Sequence, residues 1–363
     1  MMEVLAWAIM GFGFLQLIIA FINTVFQAIL GAESQSGDLV SVLIPARNEE
    51  HNILKLLTDL QYQSYKNIEI LVFDDQSTDR TASLVTEMAK YDSRIRLIQS
   101  TGLPEGWLGK NYACYNLAQN ASGKYLLFLD ADVRVEQALI AKTIAFAQKQ
   151  KTGLLSIFPT QKMVSLGEKT VVPIMNYILL TLLPLPLVLR SKFPSLAAAN
   201  GQFMLFNAEI YHKVQPHELL KAEKVEDIRT AQLFKKQRHK VACMSKSEAI
   251  SCRMYTNYKE SIEGFSKNIA LFFGNSYMLA LVFWLITTFG FVVVLMVLPL
   301  KYFILLNVVA IVTRVFVSIA SNQKSLQNLI LLIPQQLNIG VILLKSIINK
   351  KNNAYQWKGR VVR

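Results

Sequence analysis

The stretch YLLFLDADV, Tyr125 to Val133, limits what this chain can fold into more than any other. Tyr125 to Leu129 are all apolar or aromatic, and they run straight into Asp130 and Asp132. A strand with no polar residue on either face must be covered on both, as in a parallel sheet between helices. Acids just past such a strand stand where open α/β sheets take ligands, beyond the carboxyl ends of the strands. Two unpaired carboxylates there are costly unless a cation, such as a divalent metal, meets them. Taken alone, the stretch suits a polar strand end followed by a helix cap equally well.

The preceding residues extend the pattern. VSVLIP (Val40 to Pro45), IEILVFDD (Ile68 to Asp75) and IRLIQS (Ile95 to Ser100) read as further buried strands. Between them, Ala46 to Leu60 carries Ile53, Leu56, Leu57 and Leu60 at helical spacing, and Ser77 to Tyr91 reads as a helix with a Ser or Thr cap. A third helix ends near Ala121. Strands alternating with helices over about 90 residues predict a doubly wound, mainly parallel sheet.

The flanks are of another kind. Met1 to Leu30 is almost wholly apolar, lacks the basic start of a signal peptide and is long enough to span a bilayer. Gly31 to Asp38 is a polar linker. Tyr277 to Val297 and Tyr302 to Ala320 predict a helical hairpin of two spans. Leu326 to Ile348 is a weaker span, interrupted by Pro334, Gln335, Gln336 and Asn338, and is expected to lie along the interface or re-enter. Val171 to Arg190 is apolar but holds Pro173, Pro184 and Pro186, so a helix lying in the interface is expected there, with a core helix of the substrate domain as the alternative. Arg314, inside a span, reads as a buried polar partner or a snorkelling residue. The tail carries Lys350, Lys351, Lys358, Arg360 and Arg363, which the positive-inside rule places in the cytoplasm.

A hydrophobic fraction of 52% agrees with membrane segments. A net charge of +13 suits nucleic acid or an anionic membrane surface. No nucleic-acid module is present, so the membrane is preferred. Cys114, Cys243 and Cys252 have no metal-ligand spacing and read as reduced thiols.

Four acidic features follow in order. Glu49 and Glu50 come after the first strand, Asp74 and Asp75 end the second, and Asp130 and Asp132 end the fourth. Glu226 and Asp227 open a helix, Lys224 to Gln237. The strand ends share one edge of a parallel sheet, so these groups can converge on one cleft. Such a cleft binds a diphosphate through a metal rather than a bare phosphate. No G-x-G-x-x-G or P-loop motif occurs, which sets aside dinucleotide and P-loop sites.

VSVLIPARNEE (Val40 to Glu50), DDQSTDRT (Asp74 to Thr81), the D-A-D at Asp130 to Asp132 and the E-D at Glu226 and Asp227 together resemble a family 2 glycosyltransferase of GT-A fold. PEGWLGK (Pro104 to Lys110), AAANGQF (Ala197 to Phe203), RMY (Arg253 to Tyr255) and WKGR (Trp357 to Arg360) resemble more narrowly the membrane-bound glycosyltransferases of carotenoid, hopanoid and other lipid pathways. The resemblance implies an α/β GT-A domain with transmembrane helices at both ends. The expected division is an anchor (1–30), a GT-A domain (39–265, with a nucleotide-binding half 39–133 and an acceptor half 134–265), membrane helices (277–348) and a basic tail (349–363).

It also implies roles. Pro45 and Glu49 line the nucleotide end, and Asp75 contacts the uracil of a UDP-sugar. Asp130 and Asp132 face the diphosphate, with Asp132 the direct ligand of Mn²⁺ or Mg²⁺. Asp227 is the general base of an inverting transfer. Lys110 is read at the diphosphate or acceptor or, equally, as a solvated loop lysine; Asn200, Gly201 and Gln202 on the acceptor side or in a tight turn; Arg253 and Lys267 at the leaving diphosphate. The Q-x-x-R-W signature of processive members is missing, with EGFSK (Glu263 to Lys267) in its place, which favours single-sugar transfer. The expected enzyme is an inner-membrane, multi-pass hexosyltransferase with a cytoplasmic catalytic domain and a lipid or other apolar acceptor. Glycan or polysaccharide assembly is the alternative. A nucleotidyltransferase would show a Gly-rich basic loop where ARNEEHN stands, and a non-catalytic membrane protein need not keep every acid.

Overall fold

The computed structural model describes residues 1–34, 36–351, 356–357 and 360–361. Its strands are β1 (Val40–Ala46), β2 (Ile68–Asp74), β3 (Ile95–Gln99), β4 (Tyr125–Leu129), β5 (Val133–Val135), β6 (Leu154–Ile157), β7 (Thr160–Gln161), β8 (Phe203–Asn207), β9 (Val241–Met244) and β10 (Ile250–Cys252). The chain forms two units. One holds Ala28–Thr160 and Leu185–Cys252; the other holds Met1–Gln27, Gln161–Pro184 and the residues from Arg253 on. These boundaries do not coincide with a 39–265 domain, because two segments within that range group with the apolar helices.

The first unit is built on a seven-stranded sheet of order β3-β2-β1-β4-β8-β6-β9. β1 pairs in parallel with β2 and β4, β2 with β3, and β6 with β9. Only β8 runs against its neighbours, β4 and β6. Every residue of β4 is buried, as its sequence requires. Helix Ile53–Gln61 buries Ile53, Leu56, Leu57 and Leu60, the four positions its periodicity marks. Full burial of each such side chain contributes about 1.5–3 kcal/mol.

The next helix starts at Thr81, later than its sequence suggests. The carboxylate of Asp79, rather than a Ser or Thr, accepts the Thr81 N–H at 2.9 Å. Gly123 marks a close approach. A Cβ there would stand 2.6 Å from the Ser41 backbone nitrogen. The Ser41 hydroxyl accepts the Gly123 N–H at 2.8 Å and donates to Glu69 at 2.6 Å.

The second unit contains the helices Met2–Val25, Tyr277–Val297 and Leu300–Ala320, all long and apolar enough to cross a membrane. Ala6, Ile9, Met10, Val294 and Leu298 form a buried cluster among them. Apolar Val171–Arg190 is divided at its prolines into Pro173–Leu182 and Pro186–Arg190, the latter in the first unit. Pro184 has no N–H for the Leu180 carbonyl, and Asn23 replaces it: its amide donates to Leu180 at 3.0 Å and Leu183 at 2.8 Å. Pro173 likewise leaves the Lys169 carbonyl unserved in helix Leu166–Val171, and Gln335 donates to it at 3.0 Å. The polar residues that interrupt Leu326–Ile348 thus complete a neighbouring helix. That segment folds as Ser325–Ile330 and Leu332–Lys351. Lys358, Gly359 and Arg363 of the basic tail lie outside the described residues; Trp357 and Arg360 are described in backbone only, as an antiparallel pair.

Candidate functional site

The parallel register sets the edge. Ala46 stands beside Asp74 across β1 and β2, and Leu43 beside Phe128 across β1 and β4. The order of strands reverses about β1, so the loops after β1 and β4 flank the topological switch point, where such sheets bind ligands.

The loop after β1 is locked to the loop after β2. Asp75 donates its N–H to the Ala46 carbonyl at 2.8 Å, and the Arg47 guanidinium donates to the Asp75 carbonyl. Asn48 accepts the Thr78 N–H at 2.9 Å, and Glu50 donates its N–H to Asp79 at 3.0 Å. Glu49 donates its N–H to the Thr81 hydroxyl at 2.8 Å and accepts from Asn52 at 2.9 Å. Asn48 and Gln76 take left-handed φ of 53° and 55° to make these turns. The ladder holds the buried Asp75 and Glu49 and the half-buried Pro45 in place.

The loop after β4 meets residues from distant parts of the chain. Lys110, from helix Gly109–Gln119, lies 2.8 Å from Asp130 Oδ1 and 3.4 Å from Glu226 Oε1. Burial works against its charge, but Asp130 and Glu226 outweigh it and hold the ammonium well above the usual lysine range. Asp227 Oδ2 accepts the Gly201 N–H at 3.1 Å, and Oδ1 accepts the Ile228 N–H at 2.7 Å. Burial, then the neighbouring Glu226 charge, pushes the Asp227 carboxyl up to about 7. Burial, then Asp130 and Glu49, pushes Asp132 up to about 6. Asp132 Oδ1 is buried with no hydrogen-bond partner. Gln202 donates to Cys252 Sγ at 2.9 Å, and Asn200 Oδ1 accepts the Gln202 N–H at 2.9 Å.

Five sequence-predicted residues, Asp130, Asp132, Lys110, Asp227 and Gly201, are therefore drawn together with Glu226, and the influence of Glu49 on Asp132 ties in the loop after β1. Arg253 and Lys267 belong to the second unit. The Arg253 guanidinium grips fully buried Glu168 with Nη2 at 2.9 Å and Nε at 3.2 Å. Burial tends to raise the Glu168 carboxyl, but Arg253 and the Val164 and Ser165 donors hold it down at about 2. Sequence reading missed Glu168, although Ser165-x-x-Glu168 is a capping-box signature. It also missed Arg47 and Cys252, which only their spatial neighbours reveal.

Residues 41–215 match the family described as Glycosyl transferase family 2. This stretch is a glycosyltransferase family 2 domain. The chain is 31% identical over 248 residues to a 4,4'-diaponeurosporenoate glycosyltransferase of Staphylococcus haemolyticus, covering 66% of this chain and 63% of that protein. It is 29% identical over 120 residues to a beta-monoglucosyldiacylglycerol synthase of Nostoc sp., covering 32% of this chain and 25% of that protein. The matched region thus spans less than two thirds of these relatives' lengths. Among solved structures, a mannosyltransferase of Pyrobaculum calidifontis in complex with GDP-Man and Mn2+ superposes with a TM-score of 0.57 at 15% identity, covering 96% of this chain and 100% of that one. The fold is the GT-A-like α/β fold with a mostly parallel sheet.

Proposed function

We propose that this chain is an inverting, metal-dependent glycosyltransferase that moves a single sugar from a nucleotide sugar, UDP-linked, to a lipid or other apolar acceptor. The carrying observation is the orphaned, buried Asp132 oxygen beside Asp130 at the end of β4, in the same cluster as Asp227. A buried carboxylate whose proton affinity is raised by burial and by a neighbouring carboxylate fits a divalent cation. Among the described residues no group of three or more His, Cys, Asp or Glu is placed to hold a metal. Asp132 and Asp130 would then be its protein ligands, the remaining positions falling to diphosphate oxygens and water, as is usual for Mg²⁺. A bound Mn²⁺ or Mg²⁺ would neutralise charge on the departing diphosphate.

The chain's own residues supply the rest. Asp227, oriented by the Gly201 and Ile228 N–H groups, takes the proton of the acceptor hydroxyl or carboxyl as its oxygen attacks the anomeric carbon opposite the leaving group. A carboxylate near 7 is a better base at neutral pH than an ordinary aspartate. Lys110 moves between Asp130 and the diphosphate. Asp75 and Glu49, fixed by the ladder of hydrogen bonds, hold the nucleoside, with Pro45 against it. Asn200 and Gln202 lie on the acceptor side.

The relatives named for a carotenoid acid and a glucosyldiacylglycerol support an apolar acceptor, and three apolar helices support action at a membrane, with the α/β unit on the cytoplasmic side where nucleotide sugars are made. Purified protein is expected to release UDP from a UDP-sugar in the presence of Mn²⁺, and Asp132→Asn and Asp227→Asn to lose that release. If no nucleotide sugar is turned over, although the wild type binds UDP and Mn²⁺, the enzyme reading fails. A strain carrying Asp227→Asn is expected to lack a glycosylated lipid; loss of a surface glycan with unchanged lipids would reject the lipid acceptor.

A further inference from the structure

The helices of the apolar unit enclose a cavity of about 560 Å³. Apolar side chains such as Ile9, Phe12, Phe303, Leu306 and Leu332 make most of its wall. Four of the residues that line it carry buried polar atoms with no hydrogen-bond partner: Gln16 Nε2, Thr288 Oγ1, Gln336 Oε1, and Nε and Nη2 of Arg314. Gln16 and Arg314 are only 6% and 3% exposed.

Arg314 is not loose. Its Cζ sits 3.7 Å from the centroid of the Tyr177 ring, and Nη1 donates to Gln335 Oε1 at 3.3 Å. These contacts fix the guanidinium plane and use one of its nitrogens. The edge left over, Nε–H with Nη2–H, is the pair of parallel donors that meets two oxygens of a carboxylate or phosphate. A guanidinium stays charged, and among apolar helices there is no bulk water to take up unused donors. A third unpartnered donor, Nε2, belongs to Gln16, another residue that lines the cavity.

The volume and apolar wall suit a hydrocarbon chain. Several lining residues, including Phe289, Phe291, Ile333 and Leu337, are also exposed on the outside of the helices, so the cavity borders an apolar outer surface.

We propose that this cavity binds an amphiphile with an oxoanionic head, carboxylate or phosphate, and an apolar chain, its head oxygens held by Nε and Nη2 of Arg314 and by Gln16. The proposal is independent of the donor site, and Asp227→Asn protein is expected to bind the amphiphile as the wild type does.

The test uses full-length, delipidated protein in a neutral maltoside detergent. Binding of palmitate, of hexadecanol (the same chain without the charge) and of a phosphatidylglycerol is measured by native mass spectrometry and by the shift in unfolding midpoint. One molecule of palmitate or phosphatidylglycerol is expected per chain, with hexadecanol weaker by about 10- to 100-fold, the worth of hydrogen bonds to a charged group. Palmitate alone assigns the head as carboxylate; the phospholipid alone assigns it as phosphate. Arg314→Lys keeps the charge but not the paired donors, and Gln16→Leu removes one donor from an apolar wall. Both are expected to weaken anion binding by about tenfold or more while unfolding, without ligand, near the wild-type midpoint. Hexadecanol binding as tightly as palmitate, neither anion binding, or both variants binding like the wild type would overturn the proposal. If Arg314→Lys alone is unstable, Gln16→Leu decides.

Discussion

Asp227 and Asp132 illustrate how much a carboxylate depends on its surroundings. Both are ordinary aspartates in the chain and reach about 7 and about 6 in the fold, because burial and neighbouring acids disfavour the second charge. If Asp227 is the base, kcat/KM rises with pH and levels off above about 7, and a pH profile with no acid limb in that region would remove it from the role. Asp227→Asn is expected to lower kcat by about 10²–10⁴ while UDP and Mn²⁺ still bind, measured by single-turnover sugar transfer and by calorimetry. The same shifts act on stability with a definite sign. In the folded chain these groups keep protons that the unfolded chain loses near 3.8, so their favourable contribution is complete below that pH. It is lost as pH rises through about 6 and 7. Metal-free protein should therefore lose thermal stability from these groups between about pH 4 and 7, and Asp132→Asn should flatten that part of the curve.

Elements in this protein end where backbone chemistry requires it, and the ends are served from far away. Pro173 and Pro184 break an apolar run that composition alone would read as one segment, and Gln335 and Asn23 supply the donors that the prolines lack. Asn23→Ala leaves the Leu180 and Leu183 carbonyls short of a donor in an apolar setting. It is expected to cost about 1–3 kcal/mol, read from unfolding in detergent. In the α/β unit the join between the third helix and β4 is as tightly specified. A methyl at Gly123 would meet the Ser41 nitrogen at 2.6 Å, backbone that cannot move without parting β1 from its neighbours. Gly123→Ala should destabilise by about 1–3 kcal/mol in denaturant titration, and a neutral result would mean that β1 has room to shift. Helix Ile53–Gln61 was legible residue by residue because its burial follows a local period. The start at Thr81 was not, because Asp79 also serves the loop after β1, which lies nearby only once the strands pair.

At the scale of the molecule, one chain combines a family 2 domain with three helices long and apolar enough to cross a membrane. Cys114, Cys243 and Cys252 lie buried in the α/β unit, and burial pushes each thiol well up. They should resist a thiol reagent at neutral pH until that unit unfolds, so labelling offers a clean measure of its global stability, and fast labelling of the folded protein would contradict the packing.

The sequence by itself determined the strand-helix alternation, the acids at the strand ends and the three long apolar helices. Each of these is a local property: a run, a period or a residue just past a run. Tertiary structure alone decided that β8 runs against its neighbours and that Lys110 bridges Asp130 and Glu226. It likewise decided that Glu168 claims the Arg253 fork and that Arg314 is buried with two nitrogens lacking a hydrogen-bond partner. Those outcomes join residues tens to hundreds of positions apart. No local pattern encodes which buried charge will meet which partner; the packing of the elements chooses it.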